Sequence, residues 1–425
     1  MATKPKLMTA NLTDGVAVAN TIRANSSLSY QDRVPVVTQT NFSDIANPIL
    51  NYTAIQNEFL NNLVNVISRI IVTSKMYRNP WARFKKGKLE YGETIEEVFV
   101  NIAKAHQYDI NTAQTDVFKI EDADVYAVFH RLNYKNFYKV TISNEELRQA
   151  FFAPQGLINL IDRIVDSLYS GAQYDEFTIM KQLINNAITS GWMYPVTVSA
   201  LASDTAKAFV STVKGMSNSL TFMNAKYNPM GVANYTDKRR QILILNANSD
   251  AIIDVDVLAS AFNMDKAEFM GQRVIVDEFE NSNVVGVLVD EDFFQIYDQW
   301  EGFTENYNGQ GLYWNYFYHV RKIFSTSPFA NAVVFTTLTN TLTGVTVAPT
   351  SPTVSHGDTQ VFTATVAGTG IIPQGVTWSV NSDLSYITNG GKLYVHPDET
   401  ESSLTVTATS TVDSTKAGTA TVTIS

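Results

Sequence analysis

The sequence contains no cysteine in 425 residues. That excludes disulfides, thiolate nucleophiles and every metal site built on sulfur. Histidine is scarce as well: His106, His130, His319, His356 and His396 stand far apart, and no His-Glu-x-x-His pair seats a zinc ion. Charged residues make up only 17%, below the roughly 25% of ordinary soluble domains. Long apolar runs are missing. The nearest, LVNVISRIIVTS at residues 63–74, is interrupted by Asn65 and Arg69 and falls short of a membrane span. The opening MATKPKLMTANLTDG carries no apolar secretory core. These absences predict a chain with no membrane partner, made inside a cell and released only by lysis.

Catalytic patterns are absent too. No phosphate-cradling Walker pattern occurs, and Gly309 and Gly311 in NGQGLYW read as a turn before a strand. Two acidic clusters remain, Asp254 with Asp256 and Asp290-Glu291-Asp292. Paired carboxylates can hold a metal or move protons, yet neither cluster has the glycine bend and closing glutamate of a calcium loop. They read as helix-start or solvated acids. No catalytic residue, cofactor or metal is expected, and the chain is not expected to be an enzyme.

What is present points to partners. Aromatics reach 11%, with 20 Tyr and 23 Phe, beside that low charge. Aromatics are enriched and most charges depleted where protein surfaces bury each other. A formal net charge of −10 argues against a dominant positive field for gripping nucleic acid.

Along the chain, residues 1–53 are polar, Asn/Thr-rich and weakly periodic, which predicts an extended arm that gains order from contacts. Ile55, Phe59, Leu63, Val66, Ile67, Ile70 and Ile71 then recur at helical spacing. RNPWARFKKGKLEYGETIEEVFVNIAKAHQYD, residues 78–109, is punctuated by Pro80, Gly87 and Gly92 and contains an alternating stretch, so it reads as an extended hairpin loop. Residues 157–190 hold the longest helical pattern, with Gly191 as its stop. From about 205 to 325 short strands and helices alternate: QILILN, then DVDVLASAF as a helix, then RVIVDEF, VVGVLVD and LYWNYFYHVRKIF. NAVVFTTL closes that block. The class is α+β.

Beyond Thr341 the composition shifts to Thr, Ser, Val and Gly, and the period becomes two. A β-sandwich over 341–425 is the expectation, with Phe362, Trp378, Leu393, Leu404 and Val422 in its core and Trp378 at the centre.

The most distinctive local feature is the charge order in the loop. Arg78, Arg83, Lys85, Lys86 and Lys88 interleave with Trp81 and Phe84, and Glu90, Glu93, Glu96 and Glu97 follow. Cations with aromatics suit a nucleic-acid strand, but the acids cancel much of the field. An ordinary solvated hairpin is the bland alternative. A loop basic on one side and acidic on the other suits a neighbouring copy of itself, in head-to-tail contacts that build rings and shells. Arg78, Trp81, Arg83, Phe84, Lys85, Lys86, Lys88, Glu90 and Glu93 are therefore expected at an inter-subunit contact.

The stretches NPWARFKKGKLEYGETIEE, DVDVLASAFNMDKAEFMG, GLYWNYFYHV and FANAVVF resemble the major capsid proteins of small short-tailed, phi-29-like phages. VTWSV…GGKLYV…LTVTATS resembles bacterial immunoglobulin-like group 2 domains, which such capsid proteins carry at the same end. The resemblance runs from about residue 50 to the end. It implies a Hong Kong 97-type shell fold over 54–340, with an extended loop at 77–115, a spine helix at 157–190 and an axial domain at 205–325. FANAVVF would return to the peripheral sheet, before an outer immunoglobulin-like domain at 341–425. It also implies pentamers and hexamers in an icosahedral or prolate shell. The implied partners are other copies, a scaffolding protein, a portal protein at one vertex, and packaged double-stranded DNA in weak contact. The outer domain would be a point of host-surface contact, with assembly in the host cytoplasm and a final place in the virion. The alternative classes are a surface adhesin or glycan-binding protein, and a carboxylate-dependent hydrolase with only unpatterned acids behind it.

Overall fold

The computed structural model describes residues 15–70, 79–90, 92–102, 125–152, 154–253 and 273–425. Arg78, His106, Asp254, Asp256 and the helix expected over DVDVLASAF lie outside them.

Three short helices, α1 (Gly15–Ala24), α2 (Leu28–Arg33) and α3 (Ala46–Leu50), precede α4 (Thr53–Ile70). This corrects the expected extended arm from Gly15 onward. Val18, Ile22, Tyr30, Phe42, Ile45 and Ile49 are buried with Phe59 and Leu63 in a first core. Helices of 5 to 10 residues are too short to display a helical period, which is why the sequence hides them.

A 3-10 turn at Pro80–Phe84 leads into β1 (Lys85–Lys88). β2 (Ile95–Val100) and β3 (Val125–His130) pair antiparallel as a two-stranded ribbon, so the return strand lies beyond the loop end expected at 115. β4 (Tyr134–Ser143) runs into α5 (Asn144–Ala150), whose start is a capping box between Ser143 and Glu146.

α6 (Pro154–Thr189) is the long helix, 36 residues and so about 54 Å at the standard rise. It ends in a Schellman motif. Gly191 has φ 68°, its N–H donates to Ile188 O at 3.1 Å, and Trp192 N–H donates to Ala187 O at 2.8 Å. The amino-terminal half of α6 packs Leu157, Ile161, Ile164 and Leu168 on the first core. Its second half packs Phe177, Met180 and Ile184 on a second core.

Next come β5 (Tyr194–Thr197), α7 (Ala206–Ser219), β6 (Gln241–Asn246), α8 (Ala247–Ile253), β7 (Arg273–Val276) and β8 (Val284–Asp290). β9 (Phe294–Asn308), β10 (Tyr313–Thr326) and β11 (Ala332–Thr336) follow. Five of these strands form one sheet in the order β5-β11-β8-β6-β7. The second core covers one face through Ile244, Val287 and Val334, and α7 covers the other through Leu243, Leu288 and Phe335. Burial on both faces explains why VVGVLV, the strand up to Asp290, is continuously apolar instead of alternating. A second sheet has the order β1-β9-β10-β4, and its helix-facing side rests on α6 and the amino-terminal helices.

The remaining strands are β12 (Thr341–Ala348), β13 (Thr353–Val354), β14 (Thr359–Val361), β15 (Thr363–Thr369), β16 (Val376–Val380), β17 (Tyr386–Ile387), β18 (Lys392–Tyr394), β19 (Ser403–Ser410) and β20 (Ala417–Ile424). They form small sheets, β12-β15, β13-β20-β19-β16 and β14-β18-β17, around a third core. Phe362, Leu393, Leu404 and Val422 are buried in that core. Trp378 lies at its margin, half-buried, with its ring beneath Gly391 of the turn and 6.3 Å from Phe362. A ring that large over a tight turn fits better at the edge than at the expected centre. No helix among the described residues is long and apolar enough to cross a membrane.

Candidate assembly surface

The residues expected at an inter-subunit loop separate into two groups. Asn79 caps the 3-10 turn with its side-chain oxygen, and Pro80 starts it. This throws Trp81 and Phe84 inward, where they are 0% and 2% exposed. There they pack against Phe177 of α6 and Phe294 of β9. Neither ring is available to a neighbour, which corrects the expectation for both. The alternation of cations with aromatics reflects an amphipathic turn with its rings in the core.

Lys85 and Lys86 are likewise engaged within the chain. Lys85 Nζ lies 2.9 Å from Glu176 Oε2 and 3.7 Å from Asp298 Oδ2. Lys86 Nζ lies 2.5 Å from Asp292 Oδ1, and Arg240 bonds the other oxygen of that carboxylate. Burial, only partly offset by nearby acids, lowers the Lys86 ammonium pKa. Asp290 is buried beside them, accepts a 2.7 Å bond from Thr236 Oγ1, and is raised by that burial. Arg83 is exposed, as are Lys88, Glu90 and Glu93. Glu93 Oε2 accepts from Glu90 N at 2.9 Å, closing a turn.

Glu176 is the centre of this anchorage. It sits where α6 passes from the first core to the second and is 2% exposed. Lys322 Nζ approaches Glu176 at 2.9 Å, Asp298 at 3.1 Å and Glu301 at 3.3 Å. Asn79 Nδ2 donates to the other Glu176 oxygen at 3.0 Å. Burial alone would lower the Lys322 pKa, but the three carboxylates outweigh it and hold the ammonium well above its ordinary range. A buried ion of this kind costs several kcal/mol if a partner is removed. The cluster therefore fixes the root of the loop to α6 and to both long strands.

Beyond this root runs the ribbon of β2 and β3, and its two faces differ. One face packs inward: Phe99 stacks on Phe329 at 5.4 Å, and Tyr126 lies 6.2 Å from the same ring. Buried His130 bonds Glu97 Oε2 through Nε2 at 3.0 Å and Ser325 Oγ through Nδ1 at 2.7 Å. Ser327 Oγ donates to the other Glu97 oxygen at 2.6 Å. Sequence reading missed this clasp because Glu97 and Ser327 are 230 residues apart. The available signal was parity, since Glu97 and His130 share the face of Phe99 and Tyr126.

The opposite face carries Val98, Val100, Val125 and Phe129, each between 53% and 59% exposed. A two-stranded ribbon is marginal in water without a covered face. Among the described residues, one face of this ribbon is covered by its own chain, and the other, where Glu96 joins these four apolar side chains, is exposed. Among the described residues no cluster of His, Cys, Asp and Glu could hold a metal ion.

Comparison with known proteins covers the same region. Residues 19–336 match the family described as Phi29-like phage major capsid protein. The sequence is 36% identical over 406 residues to the major capsid protein of Bacillus phage B103, covering 94% of this chain and 90% of that one. It is 39% identical over 306 residues to the major capsid protein of Bacillus phage GA-1, covering 70% and 65%. Among solved structures, the capsid of Staphylococcus phage Andhra superposes with a TM-score of 0.52 at 11% identity, covering 63% of this chain and 86% of that one. That likeness speaks to the fold alone.

Proposed function

This chain belongs to the family of Phi29-like phage major capsid proteins, and we propose that it assembles with copies of itself, as pentamers and hexamers, into an icosahedral or prolate shell around double-stranded DNA. Its relatives in Bacillus phages B103 and PZA are named major capsid proteins. In this reading residues 54–340 are a Hong Kong 97-type shell unit. The ribbon of β2 and β3 is its extended loop, α6 its spine helix, and 205–325 its axial domain. Residues 341–425 are an immunoglobulin-like outer domain, facing away from the genome and toward the host surface. Assembly takes place in the host cytoplasm with a scaffolding protein, and a portal protein occupies one vertex.

The observation that carries the reading is the exposure, among the described residues, of Val98, Val100, Val125 and Phe129 on one face of the ribbon. Burying a Val or Phe side chain contributes roughly 1.5–3 kcal/mol, so a neighbour covering Val98, Val100, Val125 and Phe129 gains a substantial contact. Repetition around a closed shell multiplies it. The family match lies over residues 19–336, outside the carboxy-terminal module, which favours the capsid reading over an adhesin built around that module.

The test is electron microscopy of the chain expressed with its scaffolding protein, wild type beside Val98→Asp/Phe129→Asp. Closed shells from the wild type, and soluble unassembled variant with unchanged circular dichroism, are expected. A variant that assembles normally removes the ribbon from the interface. Wild type that stays monomeric at high concentration sinks the shell reading itself.

A further inference from the structure

The three strands β9, β10 and β4 sort their charges by face. On the side toward α6 lie Asp298, Glu301 and Glu305, opposite Lys322, Val320 and Tyr316. The other side is different. Five successive rows, from Trp300–Arg321–Lys135 to Asn308–Tyr313–Ser143, contain no aspartate or glutamate. They contain Lys135, Lys139 and Arg321 in a chain whose net charge is −10. Phe137 is 59% exposed on this face and Trp300 39%. Between them opens a cleft of ≈ 130 Å³, lined also by Lys135, His319 and Arg321.

We propose that this sheet face is where the protein contacts double-stranded DNA, through the phosphate backbone and without sequence preference. The inference rests on the shell reading for its occupant and adds the surface that meets it. Charge complementarity selects a polyanion, because acids are confined to the opposite side of the same strands. The spacing of the cations selects a duplex over an unpaired strand. The Lys139 ammonium lies 5.8 Å from the centre of Phe317, and the Arg321 guanidinium 5.5 Å from that of Trp300. Cation–π attraction keeps these two cations over their rings. Lys135 and Lys139 are four residues apart on one strand, about 14 Å at the standard rise. That is comparable to the roughly 12 Å width of the DNA major groove, so the two ends of the patch reach phosphates on either side of it. With three cations the contact is weak for each copy, and a shell gains by repetition.

The experiment titrates a mixed-sequence 30-base-pair duplex into the full chain, by fluorescence anisotropy at 50 and 200 mM salt. Three phosphate contacts predict a slope of about 2.7 in log affinity against log salt, and so roughly 40-fold weaker binding at the higher salt. Lys135→Gln/Lys139→Gln/Arg321→Gln is expected to lose at least tenfold in affinity at 50 mM and most of the slope. A control removing the exposed cations Lys207, Lys214 and Lys238 is expected to retain both. Equal losses in the two variants, or an unchanged triple variant, overturn the proposal. Tenfold preference for a single strand of equal length overturns the duplex assignment. A triple variant that binds duplex normally but fails to form shells would give the face to a neighbouring copy, also against the proposal. Because the titration uses the unassembled chain, it decides the matter even if the wild type forms no shell.

Discussion

Glu305 stands opposite Tyr316 on the helix-facing side of the long hairpin, and its Oε2 is buried with no hydrogen bond. Burial pushes its carboxyl from an ordinary 4.5 up to about 6. The folded pKa is the higher one, so the protonated carboxyl is the form the fold favours. Its contribution to stability is complete below about 4.5 and is lost as pH rises through 6. Glu305→Gln should therefore raise the melting temperature at pH 7.5, and the advantage should shrink to nothing near pH 4.5. An equal gain at both pH values would mean that charge is not the cause. Lys322 shows the opposite balance, because three carboxylates surround it, where Glu305 Oε2 has no hydrogen-bond partner among the described residues. For a buried charge the neighbours, and not the depth, decide the sign.

At the scale of elements, the loop root is a joint. Lys85 on β1 meets Glu176 on α6 and Asp298 on β9, so three elements share one buried cluster. Lys85→Glu would place another carboxylate against Glu176 and Asp298. Breaking a buried pair costs about 3–5 kcal/mol, and since Lys85 keeps some exposure the expected loss is at the low end. Denaturant unfolding of the unassembled chain measures it; an unchanged midpoint would return Lys85 to the surface. The elements themselves were legible wherever the period was long. The long helix, its glycine stop and the strands QILILN and VVGVLVD are visible in the sequence because 36 residues, or a run of apolar ones, leave little ambiguity. The short amino-terminal helices were not, since their burial comes from Phe59 and α6, which local pattern cannot show. The loop was legible as a hairpin but misread in detail. Interleaved cations and rings look alike whether the rings stack on a partner or fill the chain's own core, and only the tertiary neighbours Phe177 and Phe294 separate the two.

At the scale of the whole molecule, the carboxy-terminal module is joined to the rest by close backbone contacts as well as by its linker. Ile371 enters the second core, and Gln374 N–H donates to Gly191 O at 3.1 Å. A Cβ on Gly191 would lie 2.0 Å from Ile372 O, and one on Gly231 would lie 2.7 Å from Val376 O. In the turn above Trp378, Gly390 approaches the Tyr126 ring so closely that an added Cβ would lie 3.0 Å away. The module thus braces both the end of the long helix and the inward side of the ribbon. That makes it part of what sets the ribbon's position, and damage at the seam should reach assembly. Gly191→Ala adds a side-chain atom at φ 68° and drives it into the Ile372 carbonyl. The left-handed conformation alone costs about 1–2 kcal/mol, and the clash adds to it. Gly344→Ala, with open space around it, serves as the comparison. The expected result is a melting temperature lowered by several degrees for the first substitution and little changed for the second, with new protease cleavage between Leu338 and Thr341 and fewer closed shells in micrographs. If Gly191→Ala melts, resists protease and assembles like the wild type, the module is held by its linker alone and does not brace the ribbon.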